Sequence, residues 1–213
     1  MQITIDRSEE NRLRAELEKR TDAEAVRIRR YLAMADLSRT DGSPLHEIIR
    51  RVKNVPALAG LDDIEIPEIV PADVSFDLFD FPPEHPARSK SDTYYVDEKN
   101  ILRTHSTVSW YYYNHDASIR ERIAKGETLG ALCYGKVYRK DEIDRRHMNI
   151  FHQIDGWKLI PNTEGSLPLD ELKRVLSEVV ETVFGSTTEY RFLDDTFPYT
   201  DPSTQIEVKV KGE

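Results

Sequence analysis

Residues 135–156 read GKVYRKDEIDRRHMNIFHQIDG and hold most of the groups that could do chemistry. Arg139, Lys140, Asp141, Asp144, Arg145, Arg146, His147, His152, Gln153 and Asp155 crowd between two short apolar runs that read as strands. Strand alternation puts Phe151, Gln153 and Asp155 on one face and Ile150, His152 and Ile154 on the other. An arginine offers a rigid donor fork for phosphate, Gln and Asp can hold an ammonium group, and a phenyl ring gives a flat surface for stacking. Such a row suits a polar ligand lying on a sheet. The plain alternative is an exposed hairpin with mixed charges.

Other candidate motifs carry less. GALCYGKV at 130–137 nearly matches a P-loop, but Val137 stands where Ser or Thr should hold magnesium. A strand rather than a helix is expected after Lys136, so no helix N-terminus cradles a phosphate and the match is rejected. The histidines His46, His85, His105, His115, His147 and His152 show no HExxH pattern and no pairing with cysteine, so no metal site is expected. Cys133 is the single cysteine, flanked by Leu132 and Tyr134, and reads as a packed thiol.

The elements that must position the row follow from the pattern along the chain. Helices are expected in the first 37 residues, with a capping box at Thr21–Glu24, and from Pro44, where Ser43 is the cap and Leu45, Ile48, Ile49 and Val52 form one stripe. A short strand, DIEIPEIV, contains Pro67, which implies an edge or interface position. Residues 71–100 are loop-rich. DASIRERIAKG reads as a short helix ended by Gly126, TLGALCYGKVYRK and NIFHQIDGWKLI as strands, and SLPLDELKRVLSEVVETVFG as a helix ended by Gly185. TEYRFLDD and STQIEVKVK alternate like half-buried strands. The order predicts an α+β layer fold, an antiparallel sheet with flanking helices.

The 213 residues suit one domain with an appendage or two small domains, and are divided here as an N-terminal helical arm over 1–42 and a core over 43–213. A net charge of -9 argues against a general nucleic-acid coat. Residues 119–147 nevertheless hold eight Lys/Arg against five Asp/Glu, so a local RNA contact stays open. No apolar run approaches the roughly 20 residues of a membrane span, the N-terminus lacks the apolar region of a signal peptide, and one cysteine fits a reducing cytoplasm.

The charged stretch resembles motif 2 of class II aminoacyl-tRNA synthetases, and in detail the alpha subunit of phenylalanyl-tRNA synthetase. EIPEIV, HPARSKSDTYYV, LRTHS and FPYTDPS agree with that family in order. The resemblance implies a class II antiparallel sheet flanked by helices, with motif 1 at IEIPEIV and Pro67 at a subunit interface. It implies formation of phenylalanyl-adenylate from ATP and phenylalanine, with Mg2+, then transfer to tRNA. Arg139 would grip the α-phosphate, Phe151 stack on adenine, and His147 lie near the phosphates. His105 and Thr107 would lie near the substrate carboxylate, and Gln153 and Asp155 would hold the amino group. Asp141 is a further acidic position, and Phe197 and Tyr199 would contact the substrate ring. Asp155 stands for a usual Glu, Thr107 for a Ser, and Tyr199 for a Phe common in bacterial members. WYYYNHD lies in a segment longer than usual. The expected glycine-rich segment and motif 3 do not occur within the 213 residues, which predicts a C-terminally truncated core, weak by itself. A beta-type subunit or a second copy is the implied partner. The rivals are a non-catalytic paralogue that binds an amino acid, adenylate or RNA, and an enzyme adenylating another acceptor.

Overall fold

The computed structural model describes residues 1–145, 147–197 and 199–210. Arg146 of the charged stretch and Pro198 of FPYTDPS lie outside the described residues. The order is β1 (Gln2–Thr4), α1 (Ser8–Lys19), α2 (Ala23–Ala33), α3 (Pro44–Lys53), β2 (Asp62–Glu65), β3 (Ile69–Pro71), α4 (Ala72–Phe76) and β4 (Asn100–Leu102). Then come α5 (Ser109–His115), α6 (Ala117–Ala124), β5 (Leu129–Tyr138), β6 (Ile150–Leu159), α7 (Leu169–Phe184), β7 (Tyr190–Asp194) and β8 (Thr204–Val208).

The fold is α+β with flanking helices, but its main sheet is mixed rather than antiparallel. The strand order is β1-β2-β5-β6. β1 and β5 both run parallel to β2, because helical crossovers separate them in the chain. Only β5 and β6, joined by the charged connection, pair antiparallel. β3 with β4, and β7 with β8, form separate two-stranded antiparallel ribbons.

DIEIPEIV is not one edge strand. It breaks at Ile66–Glu68 into β2, which lies inside the main sheet, and β3, which leaves it. Pro67 sits in that break and is buried within the chain. Its carbonyl accepts from Arg103 Nη1 at 3.3 Å. The missing N–H of proline is harmless there because the ladder has already ended.

The first 42 residues do not stand off as an arm. Ile3 of β1 is buried in the core with Ile64 and Ala131. Leu17, Ile28 and Leu32 of α1 and α2 pack against Leu102 and Tyr138, each large aliphatic contributing about 1.5–3 kcal/mol by leaving water. The cap of α2 is Asp22 rather than Thr21, its carboxylate accepting from the Ala25 N–H at 3.0 Å.

Two buried charges, Arg103 and Lys136, and the half-buried Glu68 tie these layers together, and all three are paired or hydrogen-bonded, as burial requires. Arg103 donates to the carbonyls of Lys136 at 2.7 Å and Ile66 at 2.9 Å. Lys136 pairs with Glu68 at 3.0 Å and donates to the Met34 carbonyl at 2.6 Å, closing the C-terminal end of α2. Glu68 also accepts from the Tyr138 hydroxyl at 2.6 Å and pairs with Arg14 at 2.7 Å. Lys136 is thus a strut inside β5, which disposes of the P-loop reading.

Gly135 makes room for the Arg103 guanidinium. Its φ is +148°, and a Cβ there would lie 2.5 Å from Arg103 Nη2 and 3.0 Å from Asp36 Oδ2. Gly135→Ala therefore combines backbone strain with a clash against a buried guanidinium. We expect a loss of about 2–4 kcal/mol, read as a melting temperature roughly 5–15 °C lower in thermal unfolding.

Candidate active site

The site is built on β5 and β6. Their register pairs Val137 with Phe151, Gly135 with Gln153 and Cys133 with Asp155, so these six residues share one face. Arg139 extends the same row beyond the ladder, its N–H donating to the Asn149 carbonyl at 3.1 Å.

Five consecutive residues, Arg103–Thr107, form the facing platform. The Thr104 carbonyl accepts from Arg139 Nε at 3.1 Å. The Ser106 N–H donates to Gln153 Oε1 at 3.1 Å. The Thr107 hydroxyl lies close enough to Asp155 to act against the rise of its pKa. Arg103 itself anchors the segment, its N–H donating to Glu68 and its carbonyl accepting from Tyr138.

Arg139 Cζ lies 5.1 Å from the centroid of the Phe151 ring, a cation–π contact. Among the described residues only its Nε donates a hydrogen bond, so both terminal nitrogens are available to an anion. Burial pushes the Asp155 carboxyl above the ordinary carboxylate range, and the Thr107 hydroxyl and Gly156 N–H only partly offset it. Asp155 Oδ2 is buried and has no partner among the described residues. A buried, unpaired carboxylate oxygen is costly and calls for a cationic donor.

His105 is held neutral. Burial drives its pKa down, aided by the nearby Arg139 charge, while the bond to Ser75 acts the other way. Its Nε2 lies 3.1 Å from the Ser75 carbonyl. A carbonyl only accepts, so Nε2 carries the proton and Nδ1 is the acceptor.

An aromatic wall closes the site. The Phe79 ring meets His105 at 5.0 Å and Tyr199 at 5.3 Å, both edge to face. Phe81 stacks on His105 at 6.5 Å, and Phe197 lies 6.1 Å from Tyr199. Burial raises the Tyr199 pKa; the Asp155 charge adds to the rise and Arg139 opposes it, so the ring stands near both.

The family model for tRNA synthetases class II core domain (F) matches residues 30–213. The chain belongs to that family. A phenylalanine–tRNA ligase alpha subunit from an Exiguobacterium species is 30% identical over 211 residues, which is 98% of this chain and 57% of that protein. The same subunit from Streptomyces avermitilis is 33% identical over 174 residues, 78% of this chain and 45% of that protein. The chain thus spans about half the length of the curated relatives it matches. Among solved structures, pyrrolysyl-tRNA synthetase from Desulfitobacterium hafniense aligns with a TM-score of 0.56 at 18% identity, over 80% of this chain and 56% of that one. That likeness concerns the class II fold alone.

Within this class II core, Arg139, Phe151, Gln153, Asp155, His105, Thr107, Phe197 and Tyr199 gather around one surface. Asp141 and His147 do not join them. Both stand on the exposed connection between β5 and β6; the His147 ring pairs with Asp144 at 2.9 Å, and Asp141 offers its carbonyl to Asn149. Phe79 and Phe81 were not singled out by sequence, although the aromatic–proline run FDLFDFPP, anomalous for a surface loop, was a usable signal. WYYYNHD forms α5, whose Trp110 backs Phe79 and Trp157 at about 6 Å. Cys133 is buried on the same face, its thiol pushed up by burial to about 11, so it is no nucleophile.

Proposed function

We propose that this chain carries the amino-acid-activating surface of a phenylalanine–tRNA ligase of the alpha-subunit type. It would form phenylalanyl-adenylate and pyrophosphate from phenylalanine and ATP, and pass the aminoacyl group to tRNA. The observation that carries this reading is the shared face: guanidinium, phenyl ring, amide and buried carboxylate line one surface, with an aromatic wall beside the carboxylate.

The steps follow from these groups. The substrate ammonium pairs with Asp155, whose Oδ2 lacks a donor. Neutral His105 presents the Nδ1 lone pair, which suits an N–H donor better than a carboxylate. The substrate ring packs among Phe79, Phe197 and Tyr199. Phe151 offers its face to adenine, and Arg139 offers two donors to the α-phosphate. A substrate carboxylate oxygen then attacks the α-phosphorus, the bond to the bridging oxygen breaks, and pyrophosphate leaves. Charge accumulates on the α-phosphoryl oxygens during this step, where a fixed guanidinium stabilises it most.

Among the described residues, no three His, Cys, Asp or Glu side chains come together to hold a metal ion. The described residues therefore make no ready magnesium site. Magnesium would arrive on the ATP phosphates, and no step is drawn through it. Association with a beta-type subunit or a second copy, and a cytoplasmic location beside tRNA, belong to the same proposal. Pro67, being buried, is not the surface for that association.

The test is amino-acid-dependent exchange of pyrophosphate into ATP, measured with each of the twenty amino acids. Exchange with phenylalanine is expected. Exchange with another amino acid alone would move the specificity. Exchange with none, together with tight adenylate binding, would make the chain a binding module instead.

A further inference from the structure

The connection between β5 and β6 is closed at its base by Asn149. The Asn149 carbonyl accepts from the Arg139 N–H at 3.1 Å. Its Nδ2 donates to the Arg139 carbonyl at 3.2 Å and the Asp141 carbonyl at 2.9 Å. Its Oδ1 accepts from the Tyr31 hydroxyl of α2 at 3.1 Å. Two carbonyls can only accept, so the amide orientation is determined by its partners. The adjacent Lys140 is anchored to the same helix, pairing with Glu24 at 2.6 Å, while its N–H donates to the Asp92 carbonyl at 2.8 Å.

We propose that Asn149 is a positioning residue for Arg139, and that Tyr31 latches it to α2 in the orientation this requires. The N-terminal helices thereby acquire a role that no sequence motif indicated. They hold the strand end from which the guanidinium projects, as well as covering the core. A guanidinium aimed at a developing charge must be held within a fraction of an ångström, so loosening its backbone costs rate before it costs fold. The effect on rate rests on the role given to Arg139 above; the latch itself does not.

Asn149→Asp and Tyr31→Phe test it. The aspartate has the same shape, but its second oxygen faces two carbonyl oxygens, so a space-filling role tolerates it and the latch does not. In phenylalanine-dependent pyrophosphate exchange we expect Asn149→Asp to lower kcat about tenfold, with the KM for phenylalanine within about twofold of wild type. Tyr31→Phe should fall between the two. In parallel, amide hydrogen exchange of Arg139 and Lys140 should accelerate in both variants, while the core amides of β5 keep wild-type protection. Wild-type kcat and unchanged protection in both variants would overturn the proposal. If the wild-type chain activates no amino acid, the functional reading above fails by itself. Hydrogen exchange then decides the latch, with faster exchange at Arg139 and Lys140 supporting it and unchanged protection overturning it.

Discussion

Arg139→Ala should lower phenylalanine-dependent pyrophosphate exchange by at least about 10³-fold, with the KM for phenylalanine nearly unchanged. The side chain's terminal nitrogens have no hydrogen-bond partner among the described residues, while its Nε is fixed by the Thr104 carbonyl. The guanidinium is therefore pre-aimed, and in the proposed reaction its gain would be realised when negative charge builds on the α-phosphoryl group rather than when substrate binds. An interaction of that kind is lost from kcat. Lysine should not rescue it, because an ammonium cannot hold Thr104 and fork onto a phosphate together. The side chain is half-buried at the end of β5, so the variant's melting temperature should stay within a few degrees of wild type. Exchange within threefold of wild type would remove Arg139 from the chemistry.

Asp155→Asn should raise the KM for phenylalanine about 100-fold. In the proposed site the substrate ammonium would lose the carboxylate of Asp155, while the amide keeps its volume. The wild-type chain should also be pH-sensitive in a definite sense. Burial raises the Asp155 pKa, so the carboxylate that pairs with the ammonium is lost as pH falls, at a higher pH than for an ordinary aspartate near 3.9. KM should climb as that raised value is approached from above, and in Asp155→Asn the climb should vanish. The same shift acts on stability. Between the unfolded and the raised folded pKa the native state holds the proton more tightly, so stability falls as pH rises through that window. Above it the penalty is fully present. Asp155→Asn should therefore melt higher at neutral pH, by on the order of 2–4 °C for a gain of about 1 kcal/mol. A lower melting temperature together with unchanged KM would assign Asp155 to structure alone.

Much of this architecture was legible in the sequence where runs were long. β5 and β6 each span ten residues, so once they were read as strands the face shared by Phe151, Gln153 and Asp155 followed from the strand period, although β5 is buried on both faces. α7 followed from its stripe and Gly185. Three-residue strands carry no such signal, which is why β1 and its parallel pairing with β2 went unread. The proline rule misled at Pro67 because the strand ends just before it. Asp141 and His147 were placed by the resemblance to motif 2, position by position along the chain. A connection that bulges into solvent carries them off the face, and linear spacing cannot register that. Phe79 and Phe81 come from 70 residues upstream of the row, and only tertiary packing brings them to Tyr199.

Thr104, Ser106 and Thr107 restrain the guanidinium, the amide and the carboxylate from a stretch of backbone four residues long. In the proposed function, grip on the nucleotide and grip on the amino acid would therefore both depend on this one short stretch. The Thr104 carbonyl and the Ser106 N–H lie on adjacent peptide planes that meet at His105, so in the proposed reaction filling one half of the cleft would stiffen the other.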